Sequence, residues 1–152
     1  MNYISTSILI IGHEGRLTDG LRAVLLAHQW VTEVTIATKF ETALKLITPI
    51  FPSIIIIDGS DVIGRECEFL RQYISLQGRK PCIVIADTLE LGAKAQGAGA
   101  DAVLMEGFST NELYDILERF IFEIGGNKRQ AENDSNPLSS TAAQLSQTTS
   151  QF

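Results

Sequence analysis

The stretch SIIIIDGSD, Ser53–Asp61, sets four consecutive isoleucines directly before an aspartate and a turn. An apolar run without polar alternation is typical of a strand that is covered on both faces, as in a parallel sheet. In open α/β sheets, ligand-binding and reactive residues lie at the carboxyl ends of such strands. We therefore predict a central strand here, with Asp58 at the end where a functional site would form.

Other short apolar runs recur along the chain, with helical patterns between them. They are SILIIG at Ser7–Gly12, EVTIA at Glu33–Ala37, CIVIA at Cys82–Ala86 and AVLM at Ala102–Met105. Alternating strands and helices with right-handed crossovers build a parallel sheet flanked by helices on both faces. The sequence therefore predicts an α/β protein, a three-layer (βα)5 flavodoxin-like fold with a five-stranded parallel sheet.

Three helix starts and two apolar stripes support this alternation. The segments TKFE, DTLE and STNE place Thr38, Asp87 and Ser109 three residues before a glutamate, which predicts that each caps a helix. Apolar stripes at helical spacing are expected to be core. The stripes comprise Leu17, Leu21, Val24, Leu25 and His28 in the first helix, and Leu113, Ile116, Leu117, Phe120, Ile121 and Ile124 in the last. We interpret His28 as a surface or C-terminal helix residue and Trp30 as a packing residue.

Length and composition are those of one globular unit with a tail. The chain has 152 residues, 45% of them hydrophobic and 20% charged, and a net charge of -6 that argues against a nucleic-acid or anionic-membrane surface. No apolar run approaches the roughly 18 residues of a membrane span, and MNYISTS lacks the pattern of a signal peptide. We expect a cytoplasmic protein in which Cys67 and Cys82, without CxxC spacing, are buried free thiols.

The composition changes at Gly125. The segment from there on is rich in Ser, Thr, Gln and Asn and holds few core-forming residues. Such segments do not bury enough apolar surface to fold. We predict a folded domain over residues 1–124, a helix stop at the Gly-Gly pair, and a disordered tail over 125–152. This tail is interpreted as a solubilising terminus, with a partner-binding segment as the alternative.

Four sequence segments together resemble the receiver domain of two-component response regulators. They are ILIIG in the first strand, FETALKLI in the second helix, PSIIIID in the third strand, and GADAVLMEGFSTNEL near the end. The resemblance covers about residues 5–124. It implies that Asp58 occupies the position of the aspartate that takes a phosphoryl group from a histidine kinase. In that family a magnesium ion, a lysine and a hydroxyl stabilise the charge on the phosphoryl oxygens.

The positions that would hold the magnesium ion depart from the family pattern. The acidic pair after the first strand falls at Gly12 and His13, with Glu14 next along. Magnesium needs only one or two carboxylates when phosphate and water complete its shell. Glu14 and Asp58 are therefore the weak candidates for metal ligands.

The other two positions of the pocket have also changed. The hydroxyl falls at Ala86, with Thr88 two residues on, and the lysine falls at Glu106 in MEGF. Two like charges about 4 Å apart repel by roughly 4 kcal/mol at an effective dielectric of about 20. A carboxylate at Glu106 would therefore oppose a phosphoryl group that a lysine would stabilise.

These departures favour a stand-alone pseudo-receiver that is not an enzyme, needs no cofactor and acts by binding a protein. The resemblance names a histidine kinase or another regulator as the partner, and a face built from the fourth helix, fifth strand and fifth helix as its surface. Gly92 and Gly97 in that fourth helix predict that it is weak and easily shifted. The alternative is an active single-domain response regulator, phosphorylated on Asp58 with Mg²⁺ bound.

Other interpretations of the site residues stay open. Asp58 is equally explained as a carboxylate that caps the turn GSDVIG, or as a contact to some other ligand. His13 is explained as a partner of Glu14, Asp58 or Glu106, or as a pH-sensitive group. A flavodoxin-like cofactor binder is disfavoured, because no GxGxxG or Walker loop follows a strand and no DxHxxG motif is present.

Overall fold

Five strands alternate with five helices in the computed structural model, which describes residues 5–13, 15–59, 65–75 and 80–134. The elements in chain order are β1 (Thr6–Ile11), α1 (Arg16–Leu26), β2 (Val31–Ala37), α2 (Phe40–Ile50), β3 (Ile54–Asp58), α3 (Arg65–Ser75), β4 (Cys82–Ala86), α4 (Leu89–Gly97), β5 (Ala102–Met105) and α5 (Thr110–Asp134). None of the helices among these residues is long and apolar enough to cross a membrane.

The strands form one parallel sheet in the order β2-β1-β3-β4-β5. β1 pairs with β2 on one side and with β3 on the other, with Ile10 opposite Ile56. The strand order therefore reverses between β1 and β3, and a crevice forms at such a switch point beyond the carboxyl ends of the strands. The predicted fold is confirmed, and Asp58 ends the strand beside this point.

The isoleucine run is buried on both faces of the sheet. Ile54–Ile57 are 0% exposed, as continuous apolarity predicts. One face of the sheet packs against α2, α3 and α4 in a cluster that holds Leu9, Ile11, Ala37, Ala43, Ile55, Ile57, Phe69, Leu70, Tyr73, Cys82, Val84 and Ala95. Cys82 is a free, buried thiol as predicted, and the side chain of Cys67 in α3 lies outside the described residues.

The predicted helix caps are confirmed at one of three positions. The Ser109 hydroxyl accepts a hydrogen bond from the Glu112 amide at 3.1 Å. Asp87 is not the cap of α4, because that helix starts one residue later and the Thr88 hydroxyl accepts from the Leu91 amide at 3.1 Å. Thr38 is not the cap of α2, which begins after an extended Lys39 without a side-chain cap hydrogen bond.

His28 is buried, so its interpretation as a surface residue is wrong. α1 ends at Leu26, and His28 lies in the following turn with only 5% of its surface exposed. Its Nδ1 accepts a hydrogen bond from the Trp30 amide at 3.2 Å, and its ring meets the Tyr114 ring edge-on at 4.7 Å. The turn therefore folds the imidazole inward. Leu17, predicted as core, is 41% exposed.

α5 does not stop at the Gly-Gly pair. The helix continues through Gly125 and Gly126 to Asp134. Each glycine costs only about 1 kcal/mol against alanine in a helix interior, and the flanking Lys, Arg, Gln, Ala and Glu residues favour helix. The chain divides into one unit that ends at Leu117 and a second that begins at Glu118, so α5 contributes to both. The remainder of the predicted tail, 135–152, lies outside the described residues.

Candidate functional site

Asp58 stands at the carboxyl end of β3, where the sequence predicts it. It is half-buried and lies opposite Ile85 in the register of β3 with β4. The following amide, of Gly59, donates to the Ile85 carbonyl at 2.8 Å, which holds the end of the strand in place. Residues 60–64 of the turn lie outside the described residues, so the capping interpretation of Asp58 stays a prediction.

Gly12, at the first position of the missing acidic pair, lies against Asp58. A Cβ atom added to Gly12 would sit 3.0 Å from the Cβ of Asp58 and 3.7 Å from its Oδ2. Ordinary carbon–carbon contacts are about 3.5–4.0 Å, so a side chain at this position would require Asp58 to shift by a few tenths of an ångström. The sequence lacks the carboxylate here, and the glycine lets the ends of β1 and β3 approach closely.

The segment after β1 is tied down by a buried threonine. The Thr18 hydroxyl, in the first turn of α1, donates to the His13 carbonyl at 2.5 Å, and Thr18 is 2% exposed. Its Oγ1 also lies 3.7 Å from the position of a Gly12 Cβ. Thr18 thus holds the backbone that follows β1 and lies within contact distance of the Gly12 Cβ position, while the His13 side chain is exposed.

The candidate metal ligands are only partly described. Glu14 lies outside the described residues, and Asp58 is the other candidate. Within 5–13, 15–59, 65–75 and 80–134, no three His, Cys, Asp or Glu side chains are grouped so that they could hold a metal ion. The Glu14–Asp58 magnesium site therefore stays a prediction.

Ala86 and Glu106 come together at the ends of β4 and β5. The Glu106 amide donates to the Ala86 carbonyl at 2.8 Å, Ala86 is fully buried, and Glu106 is exposed. Thr88 does not replace the hydroxyl missing at Ala86, because it caps α4. Gly107 has φ +91, a left-handed conformation that favours glycine. The turn after β5 thus carries an exposed carboxylate at the position that the resemblance assigns to a lysine.

A cavity of about 720 Å³ opens beside Asp58, between α2 and α3 at the carboxyl ends of β1 and β3. Its lining consists of Ile11, Gly12, His13, Thr38, Lys39, Phe40, Glu41, Leu44, Asp58, Glu68, Phe69 and Gln72. The sequence placed Gly12, His13 and Asp58 near one another, and the structure brings them together here. It did not identify the residues from α2 and α3, because no motif marks the helix face that turns toward the crevice.

Comparison with solved structures shows that the chain has the fold of response-regulator receiver domains. A response regulator from Chloroflexus aurantiacus is 20% identical, with a TM-score of 0.68 over 77% of this chain and 98% of that one. A CheY-like receiver domain from Methanospirillum hungatei is 23% identical, with a TM-score of 0.67 over 80% and 98% of the two chains.

A third similar structure is the receiver domain of a sensor histidine kinase from Pseudomonas aeruginosa, which has a magnesium ion coordinated in its active site cleft. It is 20% identical, with a TM-score of 0.67 over 77% of this chain and 98% of that one. No protein-family model matches the sequence, and no curated protein matches it significantly.

Proposed function

We propose that this chain, which has the receiver fold, is a pseudo-receiver in two-component signalling. It acts in the cytoplasm by binding a protein partner, a histidine kinase or another regulator, and has no catalytic chemistry or cofactor of its own. The observation that carries this proposal is the closure of Gly12 over Asp58, with a Cβ position only 3.0 Å from the Asp58 Cβ. A magnesium-binding carboxylate at that position would require Asp58 to shift by a few tenths of an ångström.

The charges around the site support the same conclusion. Phosphoryl transfer depends on positive groups that compensate the transferred oxygens. Glu41, Glu68 and Asp58 line the crevice with Lys39 as the only lysine or arginine among its described lining residues, and Glu106 follows β5. An incoming phosphoryl group would meet mainly carboxylates, which oppose its binding.

The partner surface that we propose includes the exposed side of α4 and β5. Leu89 of α4 is 81% exposed and Met105 of β5 is 37% exposed, so this face offers two large apolar side chains to a partner. Behind them, a Cβ at Gly92 would lie 3.3 Å from Val103 Cγ1, so this glycine allows α4 to pack closely on β5. Gly92 therefore has a packing role, and the weakness of α4 that Gly92 and Gly97 predict stays a prediction.

Phosphorylation is tested by incubating the purified chain with acetyl phosphate and Mg²⁺ and measuring its intact mass. We expect no phosphoryl adduct under conditions that label an active receiver domain in parallel. An adduct on the wild-type chain that is lost in Asp58→Asn would overturn the pseudo-receiver proposal in favour of an active response regulator.

Partner binding is tested with matched leucine variants in a pull-down from source cells. We expect Leu89→Glu to release the signalling protein that the wild-type chain retains. Leu26→Glu, which changes a 44% exposed leucine on α1, should retain it. Equal recovery with both variants would remove the α4–β5 surface from the proposal.

A further inference from the structure

We propose that the cavity between α2 and α3 binds a small organic cation, a protonated amine or guanidinium carried on an apolar body. This site goes beyond the proposed function, because it requires neither phosphorylation nor a protein partner. Three properties of the cavity lead to the assignment: its size, its aromatic wall and the sign of its charges.

The size suits a small molecule. The cavity encloses about 720 Å³, within the range of about 300–1,000 Å³ that is typical of ligand sites. It lies where the strand order reverses, between β1 and β3, the place at which open α/β sheets bind ligands. A single hydrated ion would leave most of this volume unused, whereas a compact organic molecule fills it.

The inner wall is apolar and aromatic. Phe40 of α2 and Phe69 of α3 both line the cavity, with ring centroids 5.5 Å apart. Phe69 is 2% exposed and stacks on Tyr73 at 6.0 Å, so the sheet-side packing holds its ring in place. Leu44 completes this wall. Such a wall takes an apolar body, and the partly exposed Phe40 ring, supported by the buried Phe69, offers the aromatic face that attracts a cation within about 6 Å.

The charges select a cation. The carboxylates of Glu41, Asp58 and Glu68 line the same cavity, and Lys39 and the His13 imidazole are the basic groups among its described lining residues. Neither Glu41 nor Glu68 forms an ion pair with another residue of the described part of the chain. An anionic ligand would be repelled, whereas an ammonium or guanidinium group gains charge-assisted hydrogen bonds to carboxylates.

Asp58 lines the cavity at the end of β3, so its carboxylate would contact a bound cation from the sheet side. The carboxylate would then serve as a ligand contact, one of the roles that its position at the strand end allows.

The test is an NMR titration of the full ¹⁵N-labelled chain with phenethylammonium and, separately, with its neutral analogue 2-phenylethanol. We expect phenethylammonium to shift the amide signals of Gly12, Phe40 and Phe69 saturably. The neutral analogue should bind at least about tenfold more weakly, because it lacks the charge. A phenethylguanidinium arm distinguishes the two cation classes, and tight binding of either supports the site.

Matched variants separate a site from a general attraction to an acidic protein. Glu68→Gln and Glu41→Gln remove exposed cavity carboxylates and should each weaken phenethylammonium binding by about threefold to tenfold. Glu33→Gln removes an exposed carboxylate on β2 that does not line the cavity and should leave the affinity unchanged. Equal affinity for the charged and neutral probes, equal weakening by Glu33→Gln, or no saturable shift at the cavity amides would each overturn the proposal. A phosphoryl adduct on Asp58, by contrast, would overturn only the pseudo-receiver function.

Discussion

Gly12 and Asp58 end neighbouring strands so closely that a Cβ on Gly12 would lie 3.0 Å from the Cβ of Asp58. The contact joins β1 to β3 at the point where the strand order reverses. A side chain restored at Gly12 would therefore require Asp58 to shift by a few tenths of an ångström. The predicted phosphoacceptor position thus faces a glycine where the family resemblance implies a carboxylate.

This closure predicts that Gly12→Ala is destabilising. Forcing a side chain into a packed site typically costs about 1–3 kcal/mol, and we expect a loss of that size in the free energy of unfolding. Gly20→Ala is the control, because a Cβ there meets nothing within 4 Å and alanine favours the α1 helix by up to about 1 kcal/mol. Urea denaturation of both variants measures the difference, and a Gly12→Ala protein as stable as wild type would refute the close contact.

The start of α4 predicts a difference between two adjacent residues. The Thr88 hydroxyl caps the helix through the Leu91 amide, so Thr88→Ala should lower the free energy of unfolding by about 1 kcal/mol. Asp87→Ala should change it by less than about 0.5 kcal/mol, because Asp87 is exposed and is not the cap. Thermal denaturation decides between them, and a larger loss for Asp87→Ala would restore the assignment made from the DTLE pattern.

The two histidines should differ in how much stability their replacement costs. His28 is buried against Trp30 and Tyr114, so His28→Ala should cost about 2–4 kcal/mol through lost packing and the unpaired Trp30 amide. His13 has an exposed side chain, and His13→Ala should cost less than about 1 kcal/mol. Chemical denaturation of the two variants under identical conditions tests this, and comparable losses would contradict the burial of His28.

The continuation of α5 predicts that a helix breaker at the Gly-Gly pair lowers the helix content. Gly126→Pro interrupts a helix that extends to Asp134 and should lower the helical signal in far-ultraviolet circular dichroism. Ser139→Pro is the control, because Ser139 lies in the segment predicted to be disordered. This variant should leave the signal unchanged. Identical spectra for Gly126→Pro and wild type would indicate that the helix ends at the glycines.

The features that could be predicted from the sequence are those that depend on a local pattern of residues. Four adjacent isoleucines identify a doubly covered strand, and the same reasoning gave all five strands and the position of Asp58 at a strand end. The Ser109 cap followed from the STNE pattern. Each of these features depends on neighbours in the chain, so periodicity and spacing were sufficient to find them.

The remaining features depend on contacts between distant residues. The approach of Gly12 to Asp58 results from the pairing of β1 with β3, and His28 is buried because Tyr114 packs on it from α5. The cavity combines Phe40 with Phe69, whose helices meet only in the folded chain. A missing carboxylate at Gly12 can be seen in the sequence, but the closed space that replaces it cannot.

The most direct test of the central claim is ¹⁹F NMR of the chain mixed with Mg²⁺ and beryllofluoride, which mimics a phosphoryl group on an aspartate without requiring a phosphoryl donor. Among the described residues that line the cavity beside Asp58, Lys39 and His13 are the basic groups, and three carboxylates oppose a bound anion, so we predict only the signals of free fluoride species. A protein-bound signal that requires Mg²⁺ and disappears in Asp58→Asn would contradict the account.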